Sequence, residues 1–467
     1  MIEQKPAVQA TSQMPSSKTA ALFLTSFAAF FAAFMFSGLN VAIPAISQEF
    51  NADAIVMNWI ITVFALFSAV FLVPFGRIAD IVGIKKIFAY GTIVFTIASA
   101  LSTFANSSTM LIVSRAIQGI GGAMTMTTAV AMVTAVFPLK ERGRALGINV
   151  ACVYIGGSIG PFLGGILTEH LSWRSIFLVN VPVGFIVLLL LFWRIKGEWC
   201  ECKGERFDYV GSVVYALALI ALIYGFSVVP EIIGLVLVLA GIVGLLIFVR
   251  WESRNKSPIL NINIFLNNRA FLFSNLAALI NYSAIFPVVF FLSLYLQYIK
   301  GLGPEQAGLS LVAQPVIQAI LSPIAGRLSD RIEPRILVSL GMALTCLGVL
   351  SLVFLGNDTP TSMIIIALVA LGAGFGFFSS PNSNAIMSSV TPKFYGIASA
   401  TMSTMRAFAQ TLSMGIAMII MSSIIGRVVI TSQYYPALLS SAKISFSIFT
   451  VFCFAGIFVS LSRGNVR

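Results

Sequence analysis

Charge is scarce in this sequence: 9% of its 467 residues are Asp, Glu, Lys or Arg, against 58% that are hydrophobic. The mean hydropathy is +0.98, and a packed soluble domain cannot assemble a water-facing surface from such a composition. A soluble enzyme built around one core is excluded. Histidine occurs once and cysteine five times, which leaves no basis for a disulfide framework or a structural zinc site. Cys152, Cys346 and Cys453 fall in apolar stretches, and Cys200-Glu201-Cys202 has no further Cys or His beside it. No Gly-x-x-x-x-Gly-Lys-Ser/Thr loop is present, so nothing here is shaped to cradle the phosphates of ATP. No cofactor, metal or catalytic site is expected. Also lacking is an acid in the middle of an apolar run, because all 16 Asp and Glu fall in polar segments or at the ends of runs.

What the chain has instead is the apolar run itself, repeated fourteen times between residues 20–45 and 443–462. Each run is long enough to cross a hydrocarbon layer of about 30 Å as a helix. The expected fold is therefore an all-α polytopic membrane protein with fourteen spans, and an even number places both ends on one side. The first run is longer than a signal-peptide core and is expected to stay in the mature chain. Of the 28 Lys and Arg, 22 lie in segments on the side of the termini and four on the other, leaving Arg115 and Arg406 inside spans. Loop Lys and Arg mark the cytoplasmic side. The reading is a multi-pass plasma-membrane protein with both termini cytoplasmic, and the net charge of +12 is a topology signal, not a nucleic-acid footprint.

A short repeat divides the chain. Gly76-Arg77-Ile78-Ala79-Asp80 recurs as Gly326-Arg327-Leu328-Ser329-Asp330, each copy closing the second span of a set. Two six-helix halves follow, at 20–193 and 270–462, separated by a segment at 194–269 that carries two extra spans. A tail at 1–19 and a short one at 463–467 complete the chain. Paired repeats in a membrane are the architecture of alternating-access transporters.

Four stretches are specific. The loop after span 2 reads Gly76-Arg77-Ile78-Ala79-Asp80-Ile81-Val82-Gly83-Ile84-Lys85. Span 4 carries Arg115-Ala116-Ile117-Gln118-Gly119 followed by small residues. Span 5 carries Gly156-Gly157-Ser158-Ile159-Gly160-Pro161-Phe162-Leu163-Gly164-Gly165, and Ser172-Trp173-Arg174 opens span 6. With these motifs the chain resembles the major facilitator superfamily, in particular its fourteen-span drug:proton antiporter branch of multidrug efflux type, from about residue 20 to residue 460. The resemblance implies a secondary transporter that exports small, largely apolar compounds against a proton gradient, without ATP or nucleic acid.

Several residues are candidates on these grounds. Gly76, Arg77, Asp80, Gly83 and Lys85, with Gly326, Arg327 and Asp330 in the second copy, are expected to form a cytoplasmic gate in which Asp80 sits at a positive helix end. Asn40, Arg115, Gln118 and Arg406 are expected at the cavity or in coupling, since a charge inside a span should face a cavity or a partner and not lipid. Gly156, Gly160, Pro161, Gly164 and Gly165 match the antiporter motif, in which small residues admit a neighbouring helix and the proline permits a bend. Trp173 and Arg174 are expected to anchor the membrane interface, and Glu169 and His170 to be a solvated loop pair. Polar positions such as Tyr154, Tyr282, Gln314, Gln318 and Gln410 lie inside spans, with no assignment to cavity or packing.

One departure from the family matters. In this branch span 1 carries an acid five residues before the Asn-Val-Ala-Leu-Pro run; here Asn40-Val41-Ala42-Ile43-Pro44 aligns and Met35 stands at the acidic position. The expected proton carrier is absent, and two arginines inside spans suit an organic anion or neutral solute better than a cation. A non-transporting membrane sensor is the remote alternative. It is disfavoured by polar loops too short to fold as an output domain.

Overall fold

The computed structural model describes residues 15–200, 204–255, 258–260, 268–329, 331–390 and 395–464. All regular secondary structure among them is helical, and fourteen segments are long and apolar enough to span a membrane. The first half comprises α1 (Pro15–Phe50), α2 (Ala54–Val82), α3 (Ile84–Thr103), α4 (Ser108–Val136), α5 (Leu139–His170), α6 (Arg174–Leu178) and α7 (Asn180–Arg194). Helices α6 and α7 together make one span. The extra pair is α8 (Tyr209–Val228) and α9 (Ile232–Glu252). The second half comprises α10 (Arg269–Leu294), α11 (Pro304–Leu311), α12 (Ala313–Ser329), α13 (Pro334–Val353), α14 (Thr361–Ser388), α15 (Tyr395–Ile424) and α16 (Tyr435–Leu461). Helices α11 and α12 share a span, and α10 continues through a π turn at Tyr295–Ile299.

Local sequence sets the helix starts. Asp53, Ser107, Asp208 and Asn268 each accept a hydrogen bond from a backbone N–H of the first turn, satisfying a donor that the helix leaves open. Pro304 and Pro334 begin α11 and α13, where a missing N–H costs nothing. Between α2 and α3 the chain reverses in a single residue, Gly83, at φ +132°, a conformation that side chains with a β-carbon avoid.

The two halves repeat one packing pattern. Span 1 lies along span 5 (α1 on α5), span 2 along span 4 (α2 on α4) and span 3 along span 4 (α3 on α4). The second half does the same with α10 on α15, α12 on α14 and α13 on α14. The interface between halves is also paired: α2 lies against α15, and the equivalent helices α11 and α12 lie against α5. The extra pair sits at the seam, where the Tyr215 hydroxyl donates to the Ala69 carbonyl of α2 (3.1 Å) and Ser422 of α15 donates to Val229 O (3.0 Å). Much of α9 is exposed and apolar, including Leu235, Leu239 and Leu246, as a lipid-facing helix must be.

The largest apolar cluster joins the halves, with Met35, Leu39 and Ile43 of α1 in the same core as Phe290, Phe291 and Leu294 of α10. Described hydrogen bonds between the halves lie at midspan or toward the side away from the termini. They include Ser293 Oγ to Asn40 O (2.8 Å), Gln297 Nε2 to Val41 O (2.9 Å) and Ala54 N to Val428 O (3.1 Å).

Two carboxylates are buried among the described residues: Asp208 is 9% exposed and Glu252 2%. Both lie at the terminus-side end of the α8–α9 pair, away from midspan. Asp208 accepts from Gly211 N, Trp251 Nε1 and Asn255 Nδ2. Burial works to raise its carboxyl, but these bonds and one with Glu252 hold it below the usual value.

Candidate functional site

Near midspan the facing halves leave a cavity of about 130 Å³. Helix α1 presents Phe36, Ser37 and Asn40 to it; α5 presents Tyr154, Gly157 and Pro161. From the second half come Tyr282 and Phe286 on α10, Gln314 and Gln318 on α12, Phe375 on α14, and Arg406 on α15. Tyr282 and Phe286 are one turn apart and therefore share a helix face, with their rings stacked at 6.3 Å. Phe375 packs edge-on to Tyr282 (5.4 Å) and to Tyr154 (6.1 Å), and Phe36 meets Phe286 across the halves at 6.2 Å. The lining contains no Asp, Glu or His.

Arg406 is half-buried, its guanidinium 5.6 Å from the Tyr282 ring centre and 5.9 Å from that of Tyr154. These rings are its contacts among the described residues, which supply neither a hydrogen bond nor a carboxylate. Gln410, one turn on, leaves its buried Nε2 without an acceptor, and Gln314 leaves its buried Oε1 without a donor.

Asn40 and Arg406 thus both line this cavity. Arg115 and Gln118 do not line this cavity, because both are packed between helices of the first half, 0% exposed. Arg115 donates from Nε to Ile60 O (3.3 Å) and from Nη1 to Gln118 Oε1 (2.7 Å), and lies 4.3 Å over the Phe64 ring. Gln118 then donates to Ser99 Oγ (2.7 Å) and to the Met35 sulfur (3.0 Å). Met35, standing at the family's acidic position, is an acceptor at the end of this chain of bonds. A helix rotation of one or two residues decides between cavity and packing, and spacing alone does not reveal it.

The loop expected to act as a gate is a docking point for the segment after α7. The Glu198 carboxylate accepts Lys85 N (2.7 Å) and Lys86 N (3.2 Å), so it occupies the positive N-terminus of α3. Asp80 is half-buried in the last turn of α2. Lys85 Nζ donates to Ile195 O (2.5 Å), and Arg77 pairs with Glu205 (2.5 Å). Gly83 faces Glu198 so closely that a β-carbon there would lie 2.5 Å from its carboxyl carbon. Gly76 is less constrained, its nearest neighbour being the Thr127 methyl at 3.8 Å from a β-carbon position. Nothing in the sequence distinguished Glu198 from any other loop acid. In the second copy Gly326 packs on Ser380 and Arg327 is exposed, while Asp330 lies outside the described residues.

The antiporter motif serves two neighbours at once. A β-carbon on Gly156 would strike the Phe30 carbonyl of α1, one on Gly160 would lie 2.8 Å from Phe34 O, and one on Gly164 would lie 2.6 Å from the Gly38 α-carbon. Gly165 faces the other half, where a β-carbon would lie 2.5 Å from Pro304 O, and Gly308 packs on the Pro161 carbonyl. Just beyond, Glu305 N donates to Glu169 Oε2 (2.8 Å) and His170 Nε2 meets Glu305 Oε2 at 2.9 Å. Glu169 and His170 are thus solvent-exposed and at the same time join the halves. Trp173 is likewise no interface anchor: it is 3% exposed, packs on Phe50 and Phe177, and donates to Glu49, which also pairs with Arg174 at 2.7 Å.

Two repeat-related helical halves around a midspan cavity, sealed toward one face of the membrane, define a multi-pass membrane transporter. The chain belongs to the Major Facilitator Superfamily, whose family model matches residues 25–198, 207–414 and 273–464. It is 29% identical over 430 residues to the riboflavin transporter RibZ of Clostridioides difficile, covering 91% of this chain and 92% of that one. It is 30% identical to the multidrug resistance protein Stp of Mycobacterium tuberculosis over 384 residues, 81% of this chain and 71% of Stp. In structure it is similar to a bacterial homologue of the human lysosomal transporter Spinster in an inward-facing, unoccupied conformation. The TM-score is 0.68 at 16% identity, over 97% of this chain and 98% of that one. It is a transporter, not an enzyme.

Proposed function

We propose that the protein exports small amphipathic compounds across the plasma membrane by alternating access, driven by an ion gradient, most simply of protons. The observation that carries this is the cavity between the repeat-related halves, whose described cross-half bonds gather on one side of it. With the basic loops in the cytoplasm, that side is the exterior and the cavity is offered to the cytoplasm. The names of the relatives, one a multidrug resistance protein and one a riboflavin transporter, support a small organic solute. Proton coupling in this chain cannot use an acid in the cavity lining. Among the described residues, Glu169, His170 and Glu305 are carboxyl and imidazole groups that join the halves, and their release would accompany opening to the exterior. The motif loop docked on Glu198 and Glu205 would then rearrange as the cytoplasmic side closes, with Gly83 and Lys85 at its pivot.

Purified protein in proteoliposomes with an imposed pH gradient tests the reading. Movement of an amphipathic dye that collapses when the gradient is dissipated is the expected result; no movement above empty liposomes for any solute sinks it. A second reading keeps the fold and cycle but moves an organic anion or a neutral solute. Arg406, facing the cavity with no carboxylate beside it among the described residues, favours it.

A further inference from the structure

We infer that the central cavity is a binding site for planar aromatic acids. In it Arg406 takes the carboxylate, the rings of Tyr154, Tyr282 and Phe375 take the aromatic plane, and Gln314 takes a hydrogen-bond donor on the opposite edge. The inference rests on the cavity being the transport site.

Arg406, on α15, lines the midspan cavity together with Ser37, Tyr154 and Tyr282, inside a hydrocarbon layer of about 30 Å. A cation at that depth is expensive and persists where something compensates it. Arg115 meets most of the requirement with a carbonyl, an amide and an aromatic face, and leaves only its buried Nη2 without an acceptor among the described residues. Arg406 meets it only in part, through ring faces on its two sides. Its planar fork of N–H donors is left over, and such a fork matches a carboxylate with two parallel bonds. An organic cation would meet the opposite situation, a like charge and no anion in the lining.

The walls then select shape. Tyr282 and Tyr154 lie beside the guanidinium and Phe375 packs on both at 5.4 and 6.1 Å, an aromatic wall that favours a flat aromatic body over an aliphatic acid or a small inorganic anion. Gln314 supplies the third element. It is 5% exposed, and its Oε1 has no donor in the described structure; a buried acceptor in that state gains from a ligand N–H or O–H. Tyr154 belongs to the first half and the other four residues to the second, so an occupant is gripped from both sides of the interface that must move.

The test is equilibrium binding to the full-length protein in lipid nanodiscs, with three fluorescent aromatic probes: 3-hydroxy-2-naphthoate, the neutral 2-naphthol and the larger cation ethidium. Saturable naphthoate binding is expected, weakened at least about tenfold by Arg406→Ala and less by Arg406→Lys. Binding of 2-naphthol should not change with Arg406, because it has no carboxylate to lose. Should Arg406→Ala fail to assemble, Arg406→Gln and Arg406→Lys give the same contrast. Equal naphthoate affinity in wild type and the charge-free variants overturns the inference, as does binding of ethidium alone or of no probe. Gradient-driven ethidium export without naphthoate binding removes the acid site and leaves the exporter reading intact. Naphthoate binding with no gradient-driven flux of any probe keeps the acid site and removes the exporter reading.

Discussion

Spans 4 and 13 each carry one arginine inside the bilayer, and the protein houses the two in opposite ways. Arg115 is enclosed among α2, α4 and α6, with its nearest partners one turn away on its own helix or on a neighbouring backbone. Arg406 stands at a cavity wall with ring faces beside it and donors to spare. The first arrangement fastens helices, and the second is open to a ligand. Identical residue types at similar cost to the membrane therefore divide into structure and function by what surrounds them.

The largest effect that would break this comparison is Arg115→Ala. It should cost about 3 kcal/mol through the cavity left and the stranded Gln118 amide, read as a lower unfolding temperature and poor monodisperse yield. A variant that unfolds like wild type would place Arg115 outside the fastening role. Next is a pair of glycines on α5. Gly164→Val should cost about 2 kcal/mol by overpacking against Gly38 and abolish flux, whereas Gly157→Ala, with nothing within 4 Å of a β-carbon, should fold as wild type in the same melt. Arg406→Ala follows: its unfolding temperature should equal or exceed that of wild type, because an uncompensated charge is gone.

Met35→Asp sharpens the contrast further, since it sets a carboxyl beside the Gln118 amide that now meets sulfur at 3.0 Å. The melting temperature of this variant should differ from that of wild type, while anion binding at Arg406 stays the same. The smallest effect is His170→Ala, under about 1 kcal/mol, because its contact with Glu305 is largely solvent-exposed. A double-mutant cycle with Glu305→Gln would measure it.

The repeated Gly-Arg-x-x-Asp motif and the fourteen apolar runs carried the architecture, because span length and loop charge are properties of the chain alone. Asn40 and Arg406 were placed at the cavity on the same logic of polar groups that must avoid lipid. For Arg115 and Gln118 a neighbouring helix, and not the cavity, answered the same demand. Glu198 and Glu305 were not legible at all. Each is an ordinary loop or helix-start acid until the fold sets it against Lys85 or His170 from more than a hundred positions away. Phe375 was equally silent, as one of 39 phenylalanines in the chain.

The sequence by itself determined that this is a membrane protein of two repeated halves with an extra helix pair, since hydrophobic length, charge asymmetry and internal repetition need no third dimension. Only the tertiary structure decided which charge is packed and which is presented, and which glycine touches which half. Those outcomes depend on the rotation of each helix about its axis, and that rotation is set by packing against neighbours distant in the chain.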